Sequence, residues 1–529
     1  MDRPTDHTKI IPVEVWWECF ILLRASEHKI LSLTCHHFHN ICLDFIFKSI
    51  TYRSQINFSK ADSFTWMTGQ LDKLHDHIGR FRNIAKDPRQ AVLVRRCSLV
   101  HSLELDSDVD ILVSESAKAA YDTYVQAFVK SVSAFINLRE VFIDFQDQTI
   151  SRRVLKALAV AAPPHLDQVL FINFRIGIHR LEPRLKPRRV IVHNADQYCN
   201  LLPGPSSSDI LDIFSGKHLE HLEVLSLPYP SRIFAALTNQ GKSTHLVSLS
   251  FCLEPRKFDV LYRFLATCPN LNDVRIDLSE YEFHKLRTLP RLPRSVIPCL
   301  RVFHGPDRIA MLFIPGRPVQ EVSLSQNQQK PLKLEPVLKR IFLSTVPVIR
   351  LAVPDYTDED LTLICANFPD LKTLSLGLPY QILGSTLDPK QIRLEAVAGE
   401  VAKSENTAAL DRQSEKYYYS APTLHSAYMN FVHWIAHGMV NLPPNLETLH
   451  LNADMCSSLR HWDYSCSSDN DDSIKMYGYG YSLSLSIFQA VSSRYSSLQT
   501  VSVGQGKEEF RWLRGAGGKW ACCREVDPA

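Results

Sequence analysis

The residues predict an α/β chain: a small helical module near the N-terminus, then an irregular solenoid, a curved parallel sheet with helices on its convex side. Three observations carry that expectation. Apolar residues among the first fifty recur at three- and four-residue steps. From about residue 90 one short apolar word keeps returning. The stretches between its copies, such as Lys257 to Cys268 and Asp358 to Phe368, have helical composition.

The helical module comes first. Pro12 suits an opening helical turn, where no amide partner is required, and Val15, Trp16, Phe20 and Leu23 follow on one face. Arg24 to Lys29 is polar enough for a turn. A second run then places Ile30, Leu33, Phe38, Ile41 and Phe45 on a broad apolar face. Two or three short helices result, with too little interior to hide all their apolar surface, so part of it is expected to meet another protein or the rest of the chain.

Ile11-Pro12-Val13-Glu14-Val15-Trp16, then Phe20 and Leu23, then Leu33 and Cys35 with Phe38, resemble an F-box over residues 8–52. The chain has Ile11 where that family usually has Leu, and Cys19 where it usually has Ile. The resemblance implies docking on a Skp1-type adaptor, and through it a cullin, of a ubiquitin ligase. Ile11, Pro12, Val15, Trp16, Phe20, Leu23 and Leu33 would then form the adaptor face or the core directly beneath it. The rest of the chain would recruit a protein substrate. The alternative is a helical cap on a non-catalytic scaffold.

The repeated word is an apolar leader, two variable residues, an apolar residue, one variable residue and another apolar residue. Its clearest copies begin at Leu138, Leu166, Leu222, Leu246, Leu271, Val319, Val348, Leu371, Leu446 and Leu498, with weaker ones at Val94, Pro187 and Ile297. In a chain this apolar the bare word arises by chance at roughly one position in eleven. The context adds the information: Asn137, His165, His221, His245, Asn270, Asp370, Asn445 and Ser497 each stand directly before a Leu leader. Pro164, Pro269, Pro369 and Pro444 stand one place earlier, where proline blocks the preceding helix and feeds a half-buried strand. Cys268-Pro269-Asn270-Leu271 resembles leucine-rich repeats, although Gln146, Pro230, Glu254, Ser279, Pro379 and Asp454 stand where that family often has Asn or Cys. A degenerate array of unequal repeats is therefore expected. One repeat buries only two or three strand side chains, each contributing roughly 1.5–3 kcal/mol, so neighbours must stack.

The expected organisation is the helical module at 8–52, a helical linker at 53–89, the repeat array at 90–505 and a flexible tail at 506–529. Residues 381–444, with Tyr417-Tyr418-Tyr419, read as a helical insertion, and residues 454–484, rich in Ser, Asp, Gly and Tyr, as a surface loop.

Composition limits the function. With 59 Lys and Arg against 56 Asp and Glu, net charge +3, there is no global field to draw nucleic acid or anionic lipid. The thirteen cysteines are scattered and never form Cys-x-x-Cys, as expected of reduced thiols in cytoplasm or nucleus. No signal peptide or membrane span is legible, and Asn57-Phe58-Ser59 would stay unglycosylated in a reducing compartment.

Chemical motifs are sparse. Ala236 through Gly241-Lys242-Ser243 satisfies a permissive phosphate-loop pattern, which leaves a nucleotide-binding enzyme using Lys242 as a distant alternative; yet the flanks read helix before and strand after, the reverse of what that chemistry requires. Cys35, His39 and Cys42 share a helical face with metal-ligand spacing, but a small thiol on an apolar face is more often core. His165, His221 and His245 would occupy matching turn positions. No hydrolase elbow, zinc-protease pair or dinucleotide fingerprint is present, and Cys522-Cys523 lie too far from the end for prenylation. The expectation is a binding protein with no catalysis, cofactor or metal: a substrate-recognition subunit of a Skp1-cullin-F-box ubiquitin ligase.

Overall fold

The computed structural model describes residues 11–57, 64–104, 111–161, 166–176, 180–193, 211–225, 229–278, 290–325, 333–354, 356–377, 431–432, 434–452, 487–503, 510–515 and 517–524. The chain divides into two compact units, residues 1–271 and 272–529.

Unit one opens with three helices, α1 (Val13–Phe20), α2 (Ala25–Leu31) and α3 (His36–Lys48). The last residue of α3 is followed directly by strand β1 (Ser49–Asn57). Then come α4 (Phe64–Lys86), α5 (Pro88–Ala91), β2 (Arg96–Glu104), α6 (Ile111–Ser131), β3 (Glu140–Ile150), α7 (Arg152–Ala161) and β4 (Gln168–Ile176). Strands β5 (Arg180–Leu185), β6 (Arg189–His193), β7 (Asp212–Phe214) and β8 (His221–Val224) precede α8 (Tyr229–Asn239), β9 (Ser248–Leu253) and α9 (Phe258–Leu265). The main sheet runs β1-β2-β3-β4-β6-β8-β9, parallel throughout, with β5 and β7 pairing separately.

Unit two holds β10 (Asp273–Leu278), β11 (Val302–Pro306), α10 (Asp307–Phe313), β12 (Glu321–Ser325), α11 (Leu334–Ile341), β13 (Arg350–Val353), α12 (Asp358–Asn367) and β14 (Thr373–Gly377). Strands β15 (Thr448–Asn452), β16 (Thr500–Val503), β17 (Phe510–Arg514) and β18 (Trp520–Arg524) complete it. Strands β10 to β16 pair in sequence order and parallel, whereas β17 and β18 add antiparallel. Parallel neighbours need crossovers, and helices supply most of them. Among the described residues no helix is long and apolar enough to cross a membrane.

The repeated word fixes the register. Its second position forms a row across each unit: Cys97, Val141, Val169, Val190, Leu222 and Leu249 in the first, and Val274, Phe303, Val322, Leu351, Leu374, Leu449 and Val501 in the second. All are buried, while flanking strand residues alternate outward, as in the buried Leu249, Phe251 and Leu253 of β9. Two copies are corrected by this row. Leu222 is a second position, not a leader; the leader is the buried Leu219. The copy expected at Ile297 begins instead at Leu300, with Phe303 second and Gly305 third. Leucines three apart permit both frames, and only pairing with the neighbouring strands selects one. Gly305 hid its own frame: its positive φ of 156° and close approach to Ile276 put any side chain there under strain.

Four of the turns that precede strands share one side-chain hydrogen bond. Asn137 Nδ2 donates to the Val92 carbonyl at 2.8 Å, Asn270 Nδ2 to Thr244 at 2.7 Å, Asn445 Nδ2 to Pro369 at 3.1 Å and Ser497 Oγ to Pro444 at 2.9 Å. In each case the residue before a leader reaches back to the carbonyl two places before the preceding leader. The polar ladder of this chain thus sits at the strand entry, on residues of the turn itself.

Three boundaries differ from expectation. The parallel sheet begins at Ser49, well before residue 90, because Ile50 and Tyr52 of β1 are buried against the sheet and α4 contributes Leu74, Ile78 and Phe81 to the same core; residues 53–89 are no mere linker. Arg24 to Lys29 belongs largely to α2, whose start is held by Arg24 N–H donating to Glu27 Oε2 at 2.6 Å. The C-terminal segment expected to be flexible contains the β17–β18 hairpin, anchored by the buried Trp512 and Trp520; Trp520 Nε1 donates to Ser492 Oγ. Its glycines make the turn, with Gly518 at φ 73°. Most of the expected 381–444 insertion, and all of the 454–484 loop, lie outside the described residues; Phe431 and Ile435 are buried in a short helical stretch.

Candidate functional site

The strongest candidate site is the outer face of the N-terminal helices. Beneath it the module has a core of its own: Phe20, Ile41 and Cys42 are buried, and Trp16, Leu23, Leu31, Phe38, Phe45 and Ile46 pack against them. The aromatic members meet edge to face, with Trp16 and Phe38 centroids 4.8 Å apart and Phe20 and Phe38 5.3 Å apart. Buried His28 ties two helices together. Its Nε2 lies 2.8 Å from the Phe20 carbonyl, which can only accept, so Nε2 carries the hydrogen, and the ring stacks on Phe45 at 4.7 Å.

Helix α3 starts at Cys35, whose Sγ accepts from Phe38 N–H at 3.4 Å. That cap divides the apolar run in two. Phe38, Ile41 and Phe45 face the module's core, whereas Ile30 and Leu33 lie before the cap and point to solvent, so the single broad face expected from spacing does not exist.

The seven residues suggested by the resemblance separate accordingly. Phe20 is buried, Trp16 and Leu23 are half-buried core residues, and Ile11, Pro12, Val15 and Leu33 are exposed. Spacing missed Val13, Trp17, Ile21, Leu22 and Ile30, which are also exposed. Leu22 and Leu33 are 82% and 87% exposed. Of the fourteen large apolar side chains exposed among the described residues, eight lie between Ile11 and Leu33. Scattered exposed leucines are ordinary, but this concentration in 23 consecutive residues is the mark of a surface meant to be covered. Glu14, Glu18, Arg24 and Lys29 of the same stretch are exposed as well.

The chemical candidates fare differently. Cys35 is engaged as a helix cap, exposed His39 directs Nδ1 to the Ser32 carbonyl at 3.1 Å, and Cys42 is fully buried, so the three do not converge. Burial, and then the neighbouring Cys35, push the Cys42 thiol above its ordinary range. Among the described residues no group of three or more His, Cys, Asp or Glu is arranged to hold a metal. Ala236 lies inside α8, Gly241 turns at φ 100°, and the next element after Lys242 is β9, so no helix opens there to receive a phosphate. His221 is the first residue of β8, His245 lies in a turn, and His165 is outside the described residues, so the two described histidines do not occupy matching positions.

No protein-family model matches the chain, and no curated protein matches its sequence.

Proposed function

We propose that the chain is the substrate-recognition subunit of a Skp1-cullin-F-box ubiquitin ligase. The N-terminal helices dock on the adaptor, and the parallel-strand units form a leucine-rich-repeat-like solenoid that holds the protein to be modified. The single observation that carries the reading is the concentration of exposed apolar side chains between Ile11 and Leu33 around a separate small core, because a module that buries Phe20 and packs Phe38 against it yet leaves Val15, Leu22 and Leu33 outside has spent its interior and still has surface to cover. The mechanism is tethering. Holding a target beside a ubiquitin-charged conjugating enzyme raises the effective concentration of an acceptor lysine without bond chemistry by this chain.

The test is co-purification with a Skp1-type protein. Val15→Asp with Leu33→Asp should abolish capture while the melting temperature stays put; undiminished capture would sink the reading. Trp16 is unsuitable as a test position, because its ring belongs to the module's core and its loss would confuse binding with folding.

A second reading has its own support: α3 passes into β1 without a connecting segment, as expected of helices that merely cap the end of an array. A cap's outward face is inert, so the same double variant would then capture as much adaptor as the parent, namely none.

A further inference from the structure

The turns that feed β6, β8 and β9 carry charge of one sign. Residues 185–193, 215–224 and 240–250 together hold five Lys and Arg and four His against two acids, Glu220 and Glu223. Both acids are already committed: Arg188 lies 3.8 Å from Glu220, and Glu223 takes His193 at 2.7 Å and Arg189 at 3.9 Å. The groups left over are Lys186, Lys217, Lys242, His218, His221 and His245, all of them exposed.

The fold stacks these residues along one edge of unit one. Ser215 N–H donates to the Leu185 carbonyl at 2.8 Å, and a Cβ at Gly216 would meet Ser243 Oγ at 3.1 Å, so the three turns lie against one another. A few residues on, the Glu220 and His221 amides donate to the Arg188 carbonyl at 2.8 and 3.0 Å, and the Val247 amide donates to the Glu220 carbonyl at 2.8 Å. With the frame set by Leu219, His218 and His245 each stand directly before a leader, one repeat apart, and Lys186 directly precedes Pro187. Three strands at a spacing of about 4.8 Å bring the entries within about 10 Å, roughly one Debye length at 0.1 M salt, so the charges act together on whatever approaches. Arg96 with Glu140 at 2.8 Å and Lys372 with Glu447 at 2.9 Å show the other arrangement this chain uses, opposite charges paired across neighbouring entries.

We propose that this edge is a docking surface for an acidic segment of a partner polypeptide. An extended segment laid across the entries meets a lysine at each turn, and the imidazole N–H groups, donors whether the ring is neutral or charged, meet further carboxylate oxygens. Other polyanions fit less well. The three stretches contain no Phe, Tyr or Trp on which a base could stack, and none of the exposed large apolar side chains falls within them to enter a lipid surface. The surface belongs to unit one and is independent of what the N-terminal helices bind.

The experiment uses the full chain and a fluorescein-labelled dodecapeptide of alternating glutamate and serine, followed by fluorescence anisotropy. A second peptide has glutamine in place of glutamate. At low salt the glutamate peptide should bind at least tenfold more tightly than the glutamine peptide, and raising the salt should erode that preference. Lys186→Glu with Lys217→Glu and Lys242→Glu should weaken binding of the glutamate peptide at least tenfold with the melting temperature unchanged, and the milder triple change to Gln should weaken it at least threefold. Lys73→Glu with Lys130→Glu and Lys156→Glu makes the same change in net charge at exposed positions on α4, α6 and α7, and should leave binding within twofold of the parent. Equal binding of the two peptides, binding that survives the first triple variant, or an equal loss in the α4, α6 and α7 variant would overturn the proposal. So would tighter binding of a single-stranded oligothymidylate of equal charge, or capture by phosphatidylserine vesicles that the first triple variant abolishes, each of which assigns the edge to another class of partner.

Discussion

Tyr52 and Tyr124, 72 residues apart, exchange hydrogen bonds across stacked rings. Tyr124 Oη shares its hydrogen between the Tyr52 carbonyl at 2.7 Å and the Val100 carbonyl at 3.0 Å, while Tyr52 Oη donates to the Tyr124 carbonyl at 3.2 Å. The ring centroids lie 4.1 Å apart and the planes within 1°. Both side chains are buried, and burial pushes both phenols above their ordinary range. The pair fastens the strand that follows the N-terminal helices to α6, so the module's anchor is part of the core of unit one.

Removing either hydroxyl should therefore loosen that anchor. Tyr124→Phe takes a donor from two carbonyls and should cost about 1–2 kcal/mol, and Tyr52→Phe about 1 kcal/mol, by urea denaturation. Because the residues touch, the double variant should fall short of the sum by at least about 0.5 kcal/mol. Strict additivity would show the two bonds to be energetically separate.

His101 makes the same core sensitive to acid. It is 1% exposed, surrounded by the rings of Tyr121, Tyr124 and Phe145, and burial lowers its pKa to about 4. The unfolded chain, with an ordinary histidine pKa, binds a proton first as pH falls. Stability from keeping His101 neutral is thus complete above about pH 6.5 and is lost between there and about pH 4, a change on the order of 3 kcal/mol. His101→Phe should flatten that part of the stability profile measured by urea denaturation at stepped pH; an unchanged slope would mean other groups set it.

Replacing the buried Arg317 should be costly to unit two. It is fully buried, and its guanidinium donates to the carbonyls of Val296 at 3.0 Å, Phe313 at 2.7 Å and Pro293 at 2.6 Å. Arg317→Met keeps much of the volume but strips those donors, and should cost at least about 3 kcal/mol in a chemical melt. A loss below 1 kcal/mol would show that the loop at 292–296 re-forms its bonds with water.

The ladder at the strand entries can be broken deliberately. Asn270→Asp replaces the amide facing the Thr244 carbonyl by a group that cannot donate, and should cost about 1–2 kcal/mol by urea denaturation. Asn270→Ser, which keeps a donor like Ser497, should lose less.

On the N-terminal face, Leu22→Ser and Leu33→Ser should shift stability by no more than about 0.5 kcal/mol, because both side chains are solvated already. Binding of a hydrophobic dye to the native chain should nonetheless fall. A large destabilisation would mean that the two leucines pack on something within the chain.

The residues alone determined the short apolar word, the inward side of most strands and the apolar character of the first helix, because each depends on spacing along one element. Leu249 and Phe251, or Leu374 and Leu376, could be placed without reference to any neighbour. Where two frames fitted equally, as at Leu219 and Leu222, the choice belonged to the adjoining strands, which align only one of them with Val190 and Leu249. The candidate face was half legible for a similar reason. Helical spacing marks Val15 and Leu33 as apolar, but whether an apolar residue points inward or outward depends on where the chain turns, and the Cys35 cap set that turn.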